Sequence, residues 1–329
     1  MPGVRCLSDI DVRPVRWLWH PYVPLEHVTL IYGDGDVRKS WLALAIGAAV
    51  TTGSKVYDDD AHELERGGVL LCTCEDDPAA TVRPRAEGLG ANISRLFVNY
   101  GALQLRGADF ARLEETIARH HVRLVILDPV VGMMSSTNIN SAASVRGVMA
   151  ALDALAKRQS CAVILVHHIS KGLGGARQRA LGSVDFMNAC RSAILVGLDP
   201  GAEDKDSVLV HVKHNLSALG PGPSLAYRTL PGHILQWIGA TRLSADDVLR
   251  DEGRTSALNE AEIWLRELLA AGGKPVTEIV AAADEAGIAA RTLRRARERI
   301  CRRPRRVDDH WIWELVESQQ RNPGFAGDP

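Results

Sequence analysis

The chain has 329 residues, 46% hydrophobic and 24% charged, which suits one large domain plus a small one and excludes a disordered chain. A formal net charge of −1 excludes a globally basic nucleic-acid binder, so any such affinity has to come from local asymmetry. There is neither an apolar signal core nor an apolar run of membrane-spanning length, so the expectation is a soluble, cytoplasmic protein without a membrane partner.

In chain order, residues 1–26 form an irregular lead-in whose Trp17, Trp19, Pro21, Tyr22 and Pro24 lack helical or strand periodicity and are expected to pack on the core. The apolar run His27 to Tyr32 then ends in Gly33-Asp34-Gly35-Asp36-Val37-Arg38-Lys39-Ser40, and an alanine-rich helical pattern starts at Trp41. Strand, glycine-rich loop and helix N-terminus are the context of a phosphate-binding loop. Its backbone N–H groups would cradle phosphate, Lys39 would reach the β- and γ-phosphates, and the Ser40 hydroxyl would sit on Mg²⁺. Arg38 stands where G-x-x-x-x-G-K-[ST] has its second glycine. Either the side chain swings outward and leaves the cradle intact, or it folds over the site and pairs with Asp34, Asp36 or Asp128. Repulsion of Lys39 favours the second option, with impaired affinity and residual hydrolysis.

Gly67 to Cys74 reads as a buried parallel strand stopping at Glu75-Asp76-Asp77-Pro78. Acids at that end lie where open α/β sheets place ligands, while Asp76 or Asp77 before Pro78 also suits a helix cap. Glu75 is the functional candidate. A short strand at Leu96–Val98 and an amphipathic helix from Asp109 to His120 lead to Val122–Leu127, which ends in Asp128-Pro129. This is a Walker B pattern, with Asp128 as a Mg²⁺ ligand acting through water. Asn138 or Asn140 can cap a helix running to about Lys157. The strand Cys161–Val166 ends in His167-His168, read as a polar sensor at the γ-phosphate, beside a glycine- and arginine-bearing loop at 172–180. Strands near 193–197 and 208–212 follow a helix carrying Arg191. The six cysteines include no C-x-x-C pair, so they read as reduced thiols.

Alternating strands and helices over 27–240 imply an α/β domain with a mostly parallel sheet covered on both faces. Residues 241–255 read as a linker and 318–329 as a disordered tail. Residues 256–317 change character: three helices and a hairpin at 306–313 make a winged helix-turn-helix. Its third helix begins a stretch, Arg291 to Arg306, in which nine arginines face the single acid Glu298. Arg291, Arg294, Arg295, Arg299 and Arg302 are the candidate DNA contacts.

With these motifs the chain resembles the RepA-like branch of the RecA-fold ATPases, hexameric replicative-helicase relatives of plasmids, phages and actinobacterial mobile elements. Four blocks carry the resemblance: the loop Gly33–Ser40, the strand ending in Glu75-Asp76-Asp77-Pro78, Leu127-Asp128-Pro129, and His167 to Gly172 with Gly182-Ser183. It implies a RecA-like fold and the following roles. Residues 33–41 with Asp128 hold the nucleotide, and Ser40 and Asp128 hold Mg²⁺. Glu75 activates water, His168 senses the γ-phosphate, and Arg191 reaches a neighbouring subunit's γ-phosphate in a homo-oligomer, a hexamer in this family. The expected function is a DNA-directed ATPase in replication or maintenance of a mobile element. The rivals are a DNA-binding adaptor or initiator with a degenerate nucleotide site, and a regulatory or recombination ATPase that does not unwind.

Overall fold

The computed structural model describes residues 4–57, 64–134, 141–168, 184–202, 204–249, 261–269, 272–302, 304–307 and 310–315. The expectations placed on the loop at 172–180, on Gly182-Ser183, on Asn138 and Asn140 as caps, and on the tail at 318–329 lie outside these residues. The chain forms two compact units, Met1–Leu249 and Arg250–Pro329.

In the first unit, a short corner of β1 (Trp17–Trp19) and β2 (Val23–Pro24) precedes β3 (Val28–Gly33) and α1 (Lys39–Thr52). Then come β4 (Gly68–Thr73), α2 (Arg83–Gly88), β5 (Leu96–Asn99), α3 (Gly107–Arg119), β6 (Val122–Asp128), α4 (Ala142–Gln159) and β7 (Ala162–His168). The unit closes with α5 (Val184–Ala189), β8 (Ser192–Leu198), β9 (Ser207–His214), β10 (Ser224–Leu230), β11 (Ile234–Thr241) and α6 (Ala245–Val248). Nine strands form one sheet in the order β11-β10-β9-β8-β3-β7-β6-β4-β5. From β8 to β5 every pairing is parallel, and β9, β10 and β11 extend it antiparallel.

The central strands are apolar at nearly every position because both faces are covered. Leu30, Leu70, Val125, Leu127, Val163 and Leu165 point to one face, packed with residues of α3, α4 and α5. Ile31, Leu71, Leu124, Ile126, Ile164 and Val166 point to the other, packed with α1 and with Trp19, Tyr22 and Val23 of the lead-in. The lead-in therefore packs as expected only from its second half: Val4, Leu7 and Val12 are exposed, whereas Leu18, Trp19 and Tyr22 are buried. Helix α4 is capped by Ser141, whose Oγ accepts from the Ser144 amide, and continues to Gln159.

Residues 241–249 are not linker. Ser244 and Asp247 form a reciprocal capping box on α6, and Leu243, Ala245, Val248 and Leu249 pack against the core. Gly197 allows this, since a Cβ there would lie 2.8 Å from Val248.

The second unit contains α7 (residues 261–268), β12 (Lys274–Pro275), α8 (Val276–Glu285), α9 (Ala290–Ile300), β13 (Arg305–Val307) and β14 (His310–Trp313). The Lys274-Pro275 stretch pairs with β14, adding a third strand to the hairpin and making an antiparallel sheet in the order β12-β14-β13. Ala261, Leu265, Ile279, Leu293, Ala296, Ile300 and Trp313 form its own core. Among the described residues no helix is long and apolar enough to cross a membrane.

Candidate functional site

The parallel register brings the loop and acid motifs of the first unit to one edge of the sheet. Gly33 aligns with His168 across β3 and β7, and Thr73 aligns with Asp128 across β4 and β6. Gly33 is required by close approach: a Cβ there would meet the Val196 carbonyl oxygen at 2.0 Å. At Gly35 a Cβ would meet none of the described residues within 4 Å. The loop turns on two left-handed residues, Asp36 (φ 60°) and Arg38 (φ 64°). Aspartate tolerates this region; for Arg38 it costs roughly 1 kcal/mol or more.

Arg38 does not fold over the site. Its Nε donates to Thr229 Oγ1 at 3.0 Å, and its Nη1 donates to the Lys205 carbonyl at 2.5 Å and to Ser207 Oγ at 3.1 Å. The expected pairing with Asp34, Asp36 or Asp128 is replaced by bonds to the antiparallel extension. The reason is geometric, because a left-handed residue before α1 aims its side chain away from the helix mouth, toward β9 and β10.

Lys39 is buried (3% exposed) in the first turn of α1, with its Nζ donating to the Asp34 carbonyl. Burial lowers its pKa to about 8, against the opposing pull of Asp128, Asp34, Asp36 and Glu75. Asp128 is 8% exposed, and burial raises its pKa to about 6. The Ser40 hydroxyl donates to this carboxylate, whereas the charges of Asp76 and Glu75 raise its pKa further. Strand β7 separates β3 from β6, so the loop after β3 and the first turn of α1 carry Ser40 across β7 to reach Asp128.

At the end of β4 the three acids divide their work. Asp77 caps the following turn by accepting from the Ala79 and Ala80 amides at 2.9 and 2.6 Å. Asp76 pairs with Arg85 at 3.0 Å. Glu75 is exposed, yet its charge acts on Lys39, Asp128 and His168. His168 is also exposed, and burial and Lys39 hold its pKa below the usual value. His167 lies beneath it, packed on Phe186 at 5.1 Å, with burial lowering its pKa to about 4. The second histidine alone therefore faces the site.

Sequence reasoning missed what surrounds Trp41. The Arg85 guanidinium lies 5.2 Å over its indole, and the His233 ring is stacked 5.8 Å away. Nothing in the local sequence pairs residues so far apart. Arg191 is not in this cluster. Its amide donates to the Val28 carbonyl at the opposite end of β3, about 16 Å along the strand from Gly33, and its side chain is exposed.

The donor set is hard oxygen: the Ser40 hydroxyl, the Asp128 carboxylate and the nearby Glu75 and Asp76. This fits Mg²⁺, which binds through one or two protein oxygens together with phosphate and water. Among the described residues no three His, Cys, Asp or Glu side chains are grouped for a metal, so an ion here depends on the ligand's oxygens as well. The cysteines are free, and Cys72, Cys161 and Cys190 are buried.

A mostly parallel sheet covered by helices, with phosphate loop, lysine and buried aspartate on one edge, defines the P-loop ATPase class. Residues 8–174, just over half of the chain, match the AAA domain family, and the chain belongs to it. It is a nucleotide-binding P-loop ATPase of AAA type. No curated protein matches the chain.

In the second unit, α9 buries Leu293, Ala296 and Ile300 and exposes Arg291, Arg294, Arg295 and Arg299. Arg299 pairs with Glu262 at 3.2 Å, and Arg302, also exposed, lies beyond the helix. Among the described residues, Arg291, Arg294 and Arg295 have no carboxylate partner. Arg297 lies 5.7 Å over the Trp313 ring, so it serves the core rather than a ligand.

Proposed function

We propose that this ATPase acts on DNA, as a RepA-like RecA-fold protein of a mobile element, with the second unit as a winged helix-turn-helix that holds duplex. The observation that supports this best is the row Arg291, Arg294 and Arg295 on α9, solvent-exposed and without a carboxylate partner among the described residues, in a chain of net charge −1. Such a row, on a helix whose other face is buried, suits phosphate contacts along a groove.

At the nucleotide edge, Lys39 neutralises phosphate charge, and the loop amides orient it through the α1 dipole. Ser40 and Asp128 would hold Mg²⁺, which supplies further charge neutralisation on the phosphates. Glu75 orients the attacking water and accepts its proton, and His168 reads the γ-phosphate from the neighbouring strand. Arg191, remote from its own chain's site, can serve only a neighbouring subunit, so the reading includes a homo-oligomer, a hexamer by resemblance. The rival of a DNA-binding initiator with a degenerate nucleotide site rested on Arg38 crowding the cradle, and that side chain turns the other way.

The test is ATP hydrolysis with and without single- and double-stranded DNA. Stimulation by DNA that rises steeply with protein concentration is expected. Mixing Arg191→Ala with Lys39→Ala subunits should restore part of the activity, because some interfaces then pair an intact Lys39 site with an intact Arg191. DNA-independent turnover at constant specific activity, with no rescue on mixing, would overturn the reading.

A further inference from the structure

We propose that Arg38 is a clasp: the phosphate loop is held in its binding shape from outside, by strands β9 and β10, which thereby set nucleotide affinity. The proposal rests on the chain being a nucleotide-binding P-loop ATPase. Its starting point is the conformation of Arg38, φ 64° and ψ 34°, in a position where the loop pattern has glycine. A non-glycine residue leaves the left-handed region unless its surroundings hold it there.

Here the surroundings do hold it. Three side-chain bonds tie the guanidinium to Thr229 Oγ1, Ser207 Oγ and the Lys205 carbonyl. The Arg38 carbonyl is gripped as well: it accepts from the Tyr227 hydroxyl at 3.2 Å and from the Leu42 amide at 3.2 Å. Tyr227 and Ser207 are fully buried and are register partners across β10 and β9, so the anchors are rigid. The residues they hold are the entrance to α1, where the amides of Lys39 and Ser40 must face phosphate. If residue 38 relaxed to a right-handed or extended conformation, those amides would be re-aimed. A glycine loop needs no such support, because glycine occupies the left-handed region freely. In this chain the antiparallel extension does what glycine does in the pattern, and a shift of β9 or β10 would be felt in the cradle.

The experiment is a double-mutant cycle on the full chain, reading ATP·Mg²⁺ affinity by calorimetry, kcat and KM by hydrolysis, and melting without nucleotide. The variants are Ser207→Ala with Thr229→Val, Arg38→Gly, their combination, and Arg38→Lys. Removing the anchors in the presence of Arg38 should weaken ATP binding about tenfold and raise KM, with kcat at saturation within about twofold. Arg38→Lys, which lacks the forked guanidinium, should resemble it. Arg38→Gly sets the second background, and in it the anchor substitutions should change affinity less than about twofold. Equal losses in both backgrounds, or no loss in either, would overturn the clasp. Melting temperatures of the nucleotide-free variants read the same coupling. If no variant, nor the wild type, binds ATP, the nucleotide reading fails while the clasp is still decided by melting.

Discussion

Helix α1 has one charged side chain, Lys39, among 14 residues; α9 has five arginines and a glutamate among 11. Helix α1 is apolar on every side because it is enclosed, whereas α9 shows the core one apolar stripe, Leu293, Ala296 and Ile300. On the proposed reading the two helices meet an anion in two ways. At α1 a single buried ammonium and a set of fixed amides act in low dielectric, where position decides strength. On the proposed reading, several solvated guanidinium groups of α9 would act additively through counterion release, and position would matter less than number. The first site should be sensitive to geometry and pH and nearly indifferent to salt, and the second the reverse.

The largest expected effect breaks the first site at its chemistry. Glu75→Gln keeps the cradle and removes the proposed base, so ATP affinity should stay within about threefold while kcat falls about 10²- to 10⁴-fold. Steady-state hydrolysis beside a calorimetric titration checks this, and an unchanged kcat would remove Glu75 from its role.

Next in size is the α9 row. Arg291, Arg294 and Arg295 replaced together by Ala should weaken duplex binding by one to two decades at moderate salt, and lower the salt slope by about 2 to 3. ATP hydrolysis without DNA should not move. Fluorescence anisotropy over a salt series is the measurement; a preserved slope would mean that this face of α9 meets something other than DNA. Over the same series ATP affinity should change little, which sharpens the contrast between the helices.

The difference between the helices also explains what could be read beforehand. Strand, loop and helix around Lys39 and the acids at Glu75 and Asp128 were legible because each is a local pattern of apolar run and terminal polar residue. Parallel pairing then puts every such end on one edge. The basic stripe of α9 was legible for the same reason. What was not legible depends on contacts distant in sequence. Arg38 meets Ser207 and Thr229, Trp41 meets Arg85 and His233, and residues 243–249 look like linker until Gly197 makes room for Val248. Arg299, a candidate DNA contact by its place on the helix, is paired with Glu262, 37 residues away in sequence.

A smaller effect comes from pH at the buried pair. Asp128 has its pKa raised to about 6, so between about 4 and 6 the folded state holds more protons than the unfolded one, and stability falls as pH rises through that window. Above it, the protein carries the cost of an ionised buried carboxylate. Asp128→Asn should therefore melt a few degrees higher than wild type at pH 7.5 without ligand, and lose the extra stabilisation given by Mg²⁺·ATP. Below about pH 6, proton and metal compete for Asp128, and the half-saturating Mg²⁺ concentration should rise about tenfold per unit. For Lys39 the sign is opposite on function. As pH rises through about 8 the empty site loses its ammonium, and ATP affinity should fall.

The smallest expected effect concerns Trp41, one residue past Ser40. Its ring lies beneath Arg85, and Arg85 also holds Asp76 beside Glu75. A cation over an indole contributes about 0.5–1 kcal/mol at a partly exposed site. Losing it frees Arg85 and loosens Asp76, but leaves Lys39, Ser40 and Asp128 in place. Trp41→Ala should thus raise the KM for ATP about three- to fivefold, with kcat changing less, and Trp41→Phe should recover part of the loss because a ring face remains. The contrast with α9 becomes sharpest here. An aromatic on α1 acts through one defined stack, so its effect should survive high salt, whereas any single arginine of α9 loses most of its effect there. If Trp41→Ala lowers the melting temperature without moving KM at any salt concentration, the stack is packing alone and the nucleotide site ends at Ser40.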